Sequence, residues 1–391
     1  MKKKDLVTPC YIFDEKELVH NIDCFHTKLD KYFSSHIIGY SFKTNSLPRL
    51  LQIVKEQECY AEVVSEDEFR LAIKLGFPYQ KIIYNGPIKS KKTFAEAVEK
   101  GSIVNIDSKR EIQWLKELSF PQRPHVGIRV NFDLEKRIPK QTLTGGNGGR
   151  FGFCYENGEL KEAISRVSEV AVIDGIHMHV SSLSKSIDVF KELALMASAI
   201  IDEENLELEY IDFGGGYFGG ADDGEGYEKY IELIYDELSR KKKENLCIIV
   251  EPGASVVATA FSYLSRVIDT KETTYGKFVI TDGTRLDVDP FFAREKYKYN
   301  LTVNNHIRTA NQIICGYTCM ENDRIMVIND EALLSAGDLI EYKTVGSYTL
   351  GFNNMFISFL SNVYSKDGEE YILIREKWDA EDYIRKNKWV L

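Results

Sequence analysis

The sequence predicts an α/β chain, a (β/α)8 TIM-like barrel over residues 15–260 followed by a C-terminal antiparallel β domain over 261–391, with residues 1–14 assigned to the β-rich part. Three observations predict it. Between residues 36 and 252, short runs rich in Ile, Val, Tyr or Phe alternate with amphipathic stretches, the pattern of a parallel α/β sheet. Eight such units fit within about 230 residues, which favours a closed barrel over an open sheet. Beyond about residue 260 helical periodicity fades and short strands separated by turns take over. The 391 residues suit a barrel of about 250 residues plus a smaller unit.

Taken in order, a short extended segment at 9–14 precedes candidate barrel strands at 36–43, 60–65, 81–86, 102–107, 125–131, 171–180, 208–214 and 247–252. Amphipathic helical stretches lie between most of them, for example Glu66–Gly76, Lys91–Gly101 and Ser186–Glu203. In the C-terminal part, 261–270, 275–282, 310–317, 324–329, 339–345 and 371–375 read as strands. No low-complexity run and no repeat beyond the βα unit is present.

Composition narrows the function classes. With 43% hydrophobic and 28% charged residues the chain is ordinarily globular. A net charge of −10, with lysines and glutamates interspersed, argues against nucleic acid or anionic membrane as the main partner. No stretch approaches the ~20 apolar residues of a membrane span. The start, Met-Lys-Lys-Lys-Asp, is basic but has no apolar run behind it, so no secretory signal is expected. Seven scattered cysteines (10, 24, 59, 154, 247, 315 and 319) read as reduced thiols in a cytoplasmic protein. Cys315 and Cys319 are the only close pair, and without further ligands no zinc site is expected.

Barrel enzymes place their chemistry at the C-terminal ends of the strands. The first predicted strand delivers Lys43, the second Glu62 with Ser65, and the fifth Arg129. The sixth delivers His177 and His179, the seventh Asp212 and then Gly214, Gly215 and Gly216, the eighth Glu251-Pro252-Gly253. Taken alone, Lys43 reads as a surface lysine just past a strand end, although such a site also suits Schiff-base chemistry. The later strand ends change that balance.

Three consecutive glycines after a strand expose backbone N–H groups that together hold a phosphate, although a tight turn explains them as well. Phosphate sites in barrels frequently follow strands seven and eight. His177 and His179 alternate, so both point to one side of their strand. Metal ligation is one reading, but His20, His26, His36, His125 and His306 supply no obvious further ligands and no metal is expected. A core role fits His177, and a ring-stacking role fits His179. A carboxylate such as Glu251 at the top of a buried strand must be paired or hydrogen-bonded. A salt bridge to Arg129 or Lys43 would serve, as would a protonated pyridine nitrogen. Lysine, phosphate cradle, ring-facing histidine and carboxylate together meet the needs of pyridoxal 5'-phosphate.

The chain resembles the alanine-racemase-fold pyridoxal phosphate enzymes, and within them the ornithine/diaminopimelate/arginine decarboxylase family. The resemblance rests on the order of Tyr-Ser-Phe-Lys-Thr-Asn (40–45), His-Met-His-Val-Ser-Ser (177–182), Asp-Phe-Gly-Gly-Gly (212–216) and Glu-Pro-Gly (251–253). It continues with Cys-Gly-Tyr-Thr-Cys-Met-Glu-Asn-Asp (315–323) and Gly-Ser-Tyr-Thr (346–349), and covers nearly the whole chain. It implies that Lys43 is the Schiff-base lysine and that His179 stacks on the cofactor ring. It further implies that Ser182, Gly216 and Tyr348 contact the phosphate and that Glu251 partners the pyridine nitrogen. Glu62 falls where the family usually has an aspartate near the lysine. Arg129, Gly214, Gly215 and Gly253 complete the cofactor set. Cys319 resembles the acid that reprotonates the substrate carbon in the partner subunit's site, which implies a homodimer with shared active sites. Without the resemblance, Cys319 reads as a buried β-strand cysteine.

This chain also departs from the family pattern. Ala254 stands where an arginine usually follows Glu-Pro-Gly, and Met320 where an acid usually follows the cysteine, with Glu321 one place on. The loop Asp282-Gly-Thr-Arg-Leu-Asp-Val-Asp-Pro290 lacks the Arg-Pro pair of diaminopimelate decarboxylases. Losing cationic carboxylate ligands weakens a distal carboxylate's binding. The sequence therefore predicts an amino-acid decarboxylase whose substrate is not meso-diaminopimelate, with Arg285, Asp287, Asp289 or Glu321 reading the distal group. A racemase or epimerase on the same fold, a non-catalytic regulatory relative, and a metal-dependent barrel hydrolase are the rival readings.

Overall fold

A computed structural model describes residues 1–182, 185–219, 226–304, 307–352 and 355–388; His306 lies outside them. The chain divides into two compact units, Val19–Val256 and the pair of segments Met1–Leu18 and Val257–Leu391.

In chain order the strands up to residue 250 are β1 (Cys10–Asp14), β2 (His36–Ser41), β3 (Tyr60–Val63), β4 (Ile82–Tyr84), β5 (Ile103–Ile106), β6 (His125–Asn131), β7 (Phe153–Cys154), β8 (Val172–His177), β9 (Tyr210–Asp212) and β10 (Cys247–Val250). Among the described residues of Val19–Val256, β2, β3, β4, β5, β6, β8, β9 and β10 pair in parallel, and the β5–β6 pairing closes the ring. The two-residue β7 is an addition to β6 that the sequence did not announce. The strands are short and apolar because both faces are covered, as a barrel wrapped in helices requires. Ile83, Val104, Ile128, Ile176, Ile211 and Val250 are all buried.

The connecting helices include α1 (Glu15–Tyr32), α2 (Pro48–Glu56), α3 (Glu66–Lys74), α4 (Lys91–Glu99) and α5 (Lys109–Glu117). Serine starts several of them. Ser65 accepts from Glu68 N and Ser90 from Thr93 N, while Ser108 and Glu111 form a capping box. Each supplies an acceptor to N–H groups that the helix itself leaves unpaired. These caps sit just after the strand ends, so they also fix how each strand exits toward the barrel mouth. Between α4 and its strand, buried Lys89 donates to Gly86 O, Asn105 O and Glu111 Oε1, which satisfies all three of its protons.

In the second unit β11 (Phe261–Thr273), β12 (Gly276–Thr281), β13 (Tyr299–Thr302), β14 (Arg308–Cys315), β15 (Arg324–Ala332), β16 (Leu339–Lys343), β17 (Asn362–Asp367) and β18 (Glu370–Arg375) join β1. Antiparallel pairings predominate, but β12 lies parallel to β14, and β1 lies parallel to β17. The sheet is thus antiparallel-rich, as the sequence predicts. β1 sits between β11 and β17, so a segment from the start of the chain fills the middle of the sheet. Among the described residues no helix is long and apolar enough to cross a membrane.

Candidate active site

The β2 strand ends at Ser41, and Lys43 rides the single 3-10 turn Phe42–Thr44 that follows. Its ammonium donates to Glu62 Oε2 at 3.0 Å, and Ser41 Oγ donates to the same oxygen at 2.5 Å. Glu62 is buried on β3, whereas the Lys43 side chain is 37% exposed. The lysine thus stays accessible while a fixed carboxylate aims it. Gly253 makes this possible at close quarters, since a Cβ there would collide with Thr44 Oγ1.

Glu62 is one end of a buried chain of polar groups. Asn85, just past β4, donates from Nδ2 to Glu62 Oε1 at 3.1 Å and to Glu251 Oε1 at 2.5 Å. Asn105 on β5 donates to Asn85 Oδ1 at 2.8 Å and to Asp212 Oδ2 at 3.3 Å. Gly214 N donates to Asp212 Oδ1 at 2.9 Å. Donor atoms of His177, Asp212 and Glu251 lie within 4.8 Å of one another. The sequence had offered no such ligand set; tertiary structure brings this one together at the barrel mouth.

Two carboxyls this close cannot both ionise easily. Burial first, and then the charge of Glu251, raise Asp212 well above the ordinary carboxylate range. Burial also opposes ionisation of Glu251, but His177 and then Lys43 outweigh it and hold Glu251 below that range. The environments push the two carboxyls in opposite directions.

His179 lies just beyond β8, its ring 6.1 Å from that of His177 and nearly parallel to it. Its Nδ1 accepts from Gly215 N at 3.1 Å. Burial, with Arg129 and Lys43 nearby, pushes it down to about 3, so the imidazole is neutral and suited to stacking on a planar ring. His177 is buried 3.5 Å from Glu251, which gives it a part in the site beyond core packing.

Gly214 and Gly216 both have positive φ, +67° and +105°, where other residues are strained. A Cβ on Gly214 would collide with His179, and one on Gly215 would lie 2.6 Å from Glu251 O. Among the described residues nothing lies within 4 Å of a Cβ on Gly216. Ser182 Oγ accepts from Lys185 N at 2.9 Å. Arg129 is engaged by Asp107 Oδ2 at 2.9 Å, so its guanidinium is positioned by a buried partner. Ser65 serves α3 as its cap.

Within the β-rich unit, Cys319 is exposed in the turn after β14, not buried in a strand as its sequence context had implied. Asp323 organises that turn, accepting from Thr318 Oγ1, Thr284 Oγ1 and Arg285 N. Tyr348 sits at φ +56° with its ring 6.2 Å from Phe291. Glu321 is exposed. Arg285 and Asp289 are bound to each other at 3.1 Å, and Asp289 also accepts from Ala293 N, Arg294 N and Tyr297 OH. Asp287 accepts from Tyr263 OH at 2.5 Å and is pushed by burial up to about 6. These bonds tie Arg285, Asp287 and Asp289 into the hydrogen-bond network of their own unit.

Sequence reasoning missed Asn85 and Asn105. Asn85 follows an apolar strand and Asn105 lies within one, and neither position by itself reveals its partners. It also missed Glu68, whose carboxyl accepts from Val64 N at 2.8 Å and which burial pushes up to about 7.

A parallel barrel whose mouth holds an aimed lysine, a charged buried carboxylate, a neutral imidazole and an open glycine backbone defines a pyridoxal phosphate enzyme of the alanine-racemase-like fold. The chain belongs to the pyridoxal-dependent decarboxylases: the model of that family's pyridoxal binding domain matches residues 19–258. A probable chloroplastic diaminopimelate decarboxylase from Oryza sativa subsp. japonica is 28% identical over 72% of this chain, a match that spans 58% of the rice protein. The diaminopimelate decarboxylase of Zymomonas mobilis is 26% identical, with 98% of this chain and 93% of that protein covered. The crystal structure of the Methanocaldococcus jannaschii diaminopimelate decarboxylase superposes with a TM-score of 0.88 at 25% identity, covering 99% of this chain and 93% of that one. The chain is accordingly a pyridoxal-phosphate-dependent amino-acid carboxy-lyase.

These relatives overturn the expectation that meso-diaminopimelate is excluded. The physical reason lies in the magnitude. One charge-assisted bond contributes about 1.5–3 kcal/mol, so an absent cation at Ala254 lowers affinity without forbidding a ligand.

Proposed function

We propose that the chain decarboxylates diaminopimelate, releasing CO2 and leaving lysine. The observation that carries this reading is its likeness to diaminopimelate decarboxylases along nearly its whole length. When bound, pyridoxal phosphate supplies an electron sink for the carbon that loses CO2.

In this reading Lys43 would hold the cofactor covalently, with its Nζ kept in place by Glu62. Glu251 would partner the pyridine nitrogen, His179 would stack on the ring, and the Gly214–Gly216 backbone with Ser182 and Tyr348 would hold the phosphate. Arg129, Gly253 and the exposed thiol of Cys319 complete the set, with Cys319 delivering the proton that replaces CO2. A homodimer with active sites shared between subunits follows from that assignment of Cys319. All seven cysteines are free thiols, which supports a cytoplasmic location.

The test is CO2 release from meso-diaminopimelate by the purified protein, run beside L-lysine, L-ornithine and L-arginine. Borohydride reduction followed by peptide mass analysis locates the cofactor's attachment. Release from diaminopimelate with the label on Lys43 is expected. Interconversion of stereoisomers without CO2 release would overturn the reading, as would a label elsewhere.

A further inference from the structure

Asn85 has a place in the molecule that the assigned roles do not explain. Both protons of its side-chain amide are spent on carboxylates, one on Glu62 and one on Glu251. Its oxygen accepts from Asn105 Nδ2, whose second proton goes to Asp212. Asn105's own oxygen accepts from Tyr210 OH at 2.9 Å. Every polar atom of the two amides is therefore used, and the donor at each step fixes the orientation of the next group.

Tyr210 starts β9, at the opposite end of the barrel from Lys43. It borders a cavity of about 640 Å³ at the N-terminal mouth, together with Ile37, Ile103, His125, Asp174 and Cys247. Its ring fills space that Gly127 on β6 and Gly175 on β8 leave open, since a Cβ at either position would collide with it. The axial line Tyr210–Asn105–Asn85 is thus built into neighbouring strands.

We propose that Asn85 is a positioning residue that joins the carboxylate aiming Lys43 to the carboxylate facing the cofactor ring, and that Tyr210 fixes its orientation through Asn105 from the floor of the barrel. If Asn85 turned over, its oxygen would face two carboxylates. Tyr210 prevents this by committing Asn105's oxygen, which leaves only Asn105's N–H2 to meet Asn85. The inference rests on the proposed roles of Lys43 and Glu251.

The titratable groups facing Glu251 are Lys43, Glu62, His177, His179 and Asp212, with Tyr210 and Tyr217 also feeling its charge; of these the test alters only Tyr210, whose phenol burial raises well above its ordinary range, so its removal changes no charge on the acid side. The experiment is a pH titration of the visible absorption of the pyridoxal-phosphate-loaded protein, for wild type, Asn85→Ala and Tyr210→Phe. Asn85 stabilises the ionised form of Glu251, so without its donation the carboxylate protonates at higher pH. The acid-side spectral transition is expected to rise by about one to two pH units in Asn85→Ala. Tyr210→Phe keeps the ring and removes only the hydroxyl, and is expected to move the transition in the same direction by less. Transitions that coincide with wild type in both variants would overturn the relay while leaving the roles of Lys43 and Glu251 intact. A wild-type protein that shows no visible band would overturn both. Should Asn85→Ala not fold, Tyr210→Phe alone decides, because a purely structural hydroxyl would change melting temperature without moving a spectral transition.

Discussion

Replacing Glu251 with Gln is the sharpest single perturbation of this site. The amide keeps the shape of the side chain and removes its charge. In the structure that charge faces His177 at 3.5 Å, and one of its oxygens accepts from Asn85 at 2.5 Å. Losing one charge-assisted bond in a buried site costs about 1.5–3 kcal/mol. At about 1.36 kcal/mol per decade of rate, kcat/KM falls roughly 10- to 150-fold. The Asp212 carboxyl, raised by burial and then by Glu251, should at the same time titrate closer to its ordinary range. The assay is CO2 release from diaminopimelate across a pH series, with circular dichroism to show that the fold persists. A kcat/KM within twofold of wild type at every pH would refute the argument that this carboxylate acts through its charge.

Other expectations follow from the same geometry. Cys319→Ala should slow or misdirect reprotonation of the substrate carbon, read as lost stereospecific deuterium uptake in heavy water; an unchanged rate and product would remove the thiol from the mechanism. Burial, then Arg129 and Lys43, lower His179 from 6.5 to about 3, so below pH 6.5 the folded state binds fewer protons than the unfolded one. The melting temperature of the cofactor-free protein should therefore fall as pH drops from about 6.5 toward 3, and His179→Gln should flatten part of that slope. Lys89→Met strands Glu111 in the interior, and breaking such a pair costs about 3–5 kcal/mol. A urea midpoint equal to wild type would show that Lys89 is dispensable.

How much of this was legible beforehand depends on the range over which each feature is determined. Lys43, His179, the Gly214–Gly216 run and Glu251 stand at the ends of apolar strands, where a few neighbouring residues and the period of the pattern place them. Asn85 and Asn105 gave no comparable sign. A lone amide has no local signature, and the partners that give these two meaning lie 166 and 107 positions away. The strand β17 (Asn362–Asp367) escaped notice for a related reason. Its residues are mostly polar, yet pairing with β1 on one side and β18 on the other holds them extended. The substrate expectation failed because it weighed the missing cationic ligands, at Ala254 and in the 282–290 loop, without the rest of the chain.

The sequence by itself determined the order of strands and helices, the texture change near residue 260 and the side chains delivered to the barrel mouth. Each follows from periodicity and from what a strand end exposes. Only the tertiary structure decided that β5 closes on β6, that β1 lies between β11 and β17, and that the surroundings of Asp212 and Glu251 push the two carboxyls in opposite directions. Those outcomes depend on burial and on charges brought within a few ångströms by folding, quantities that no local stretch of residues contains.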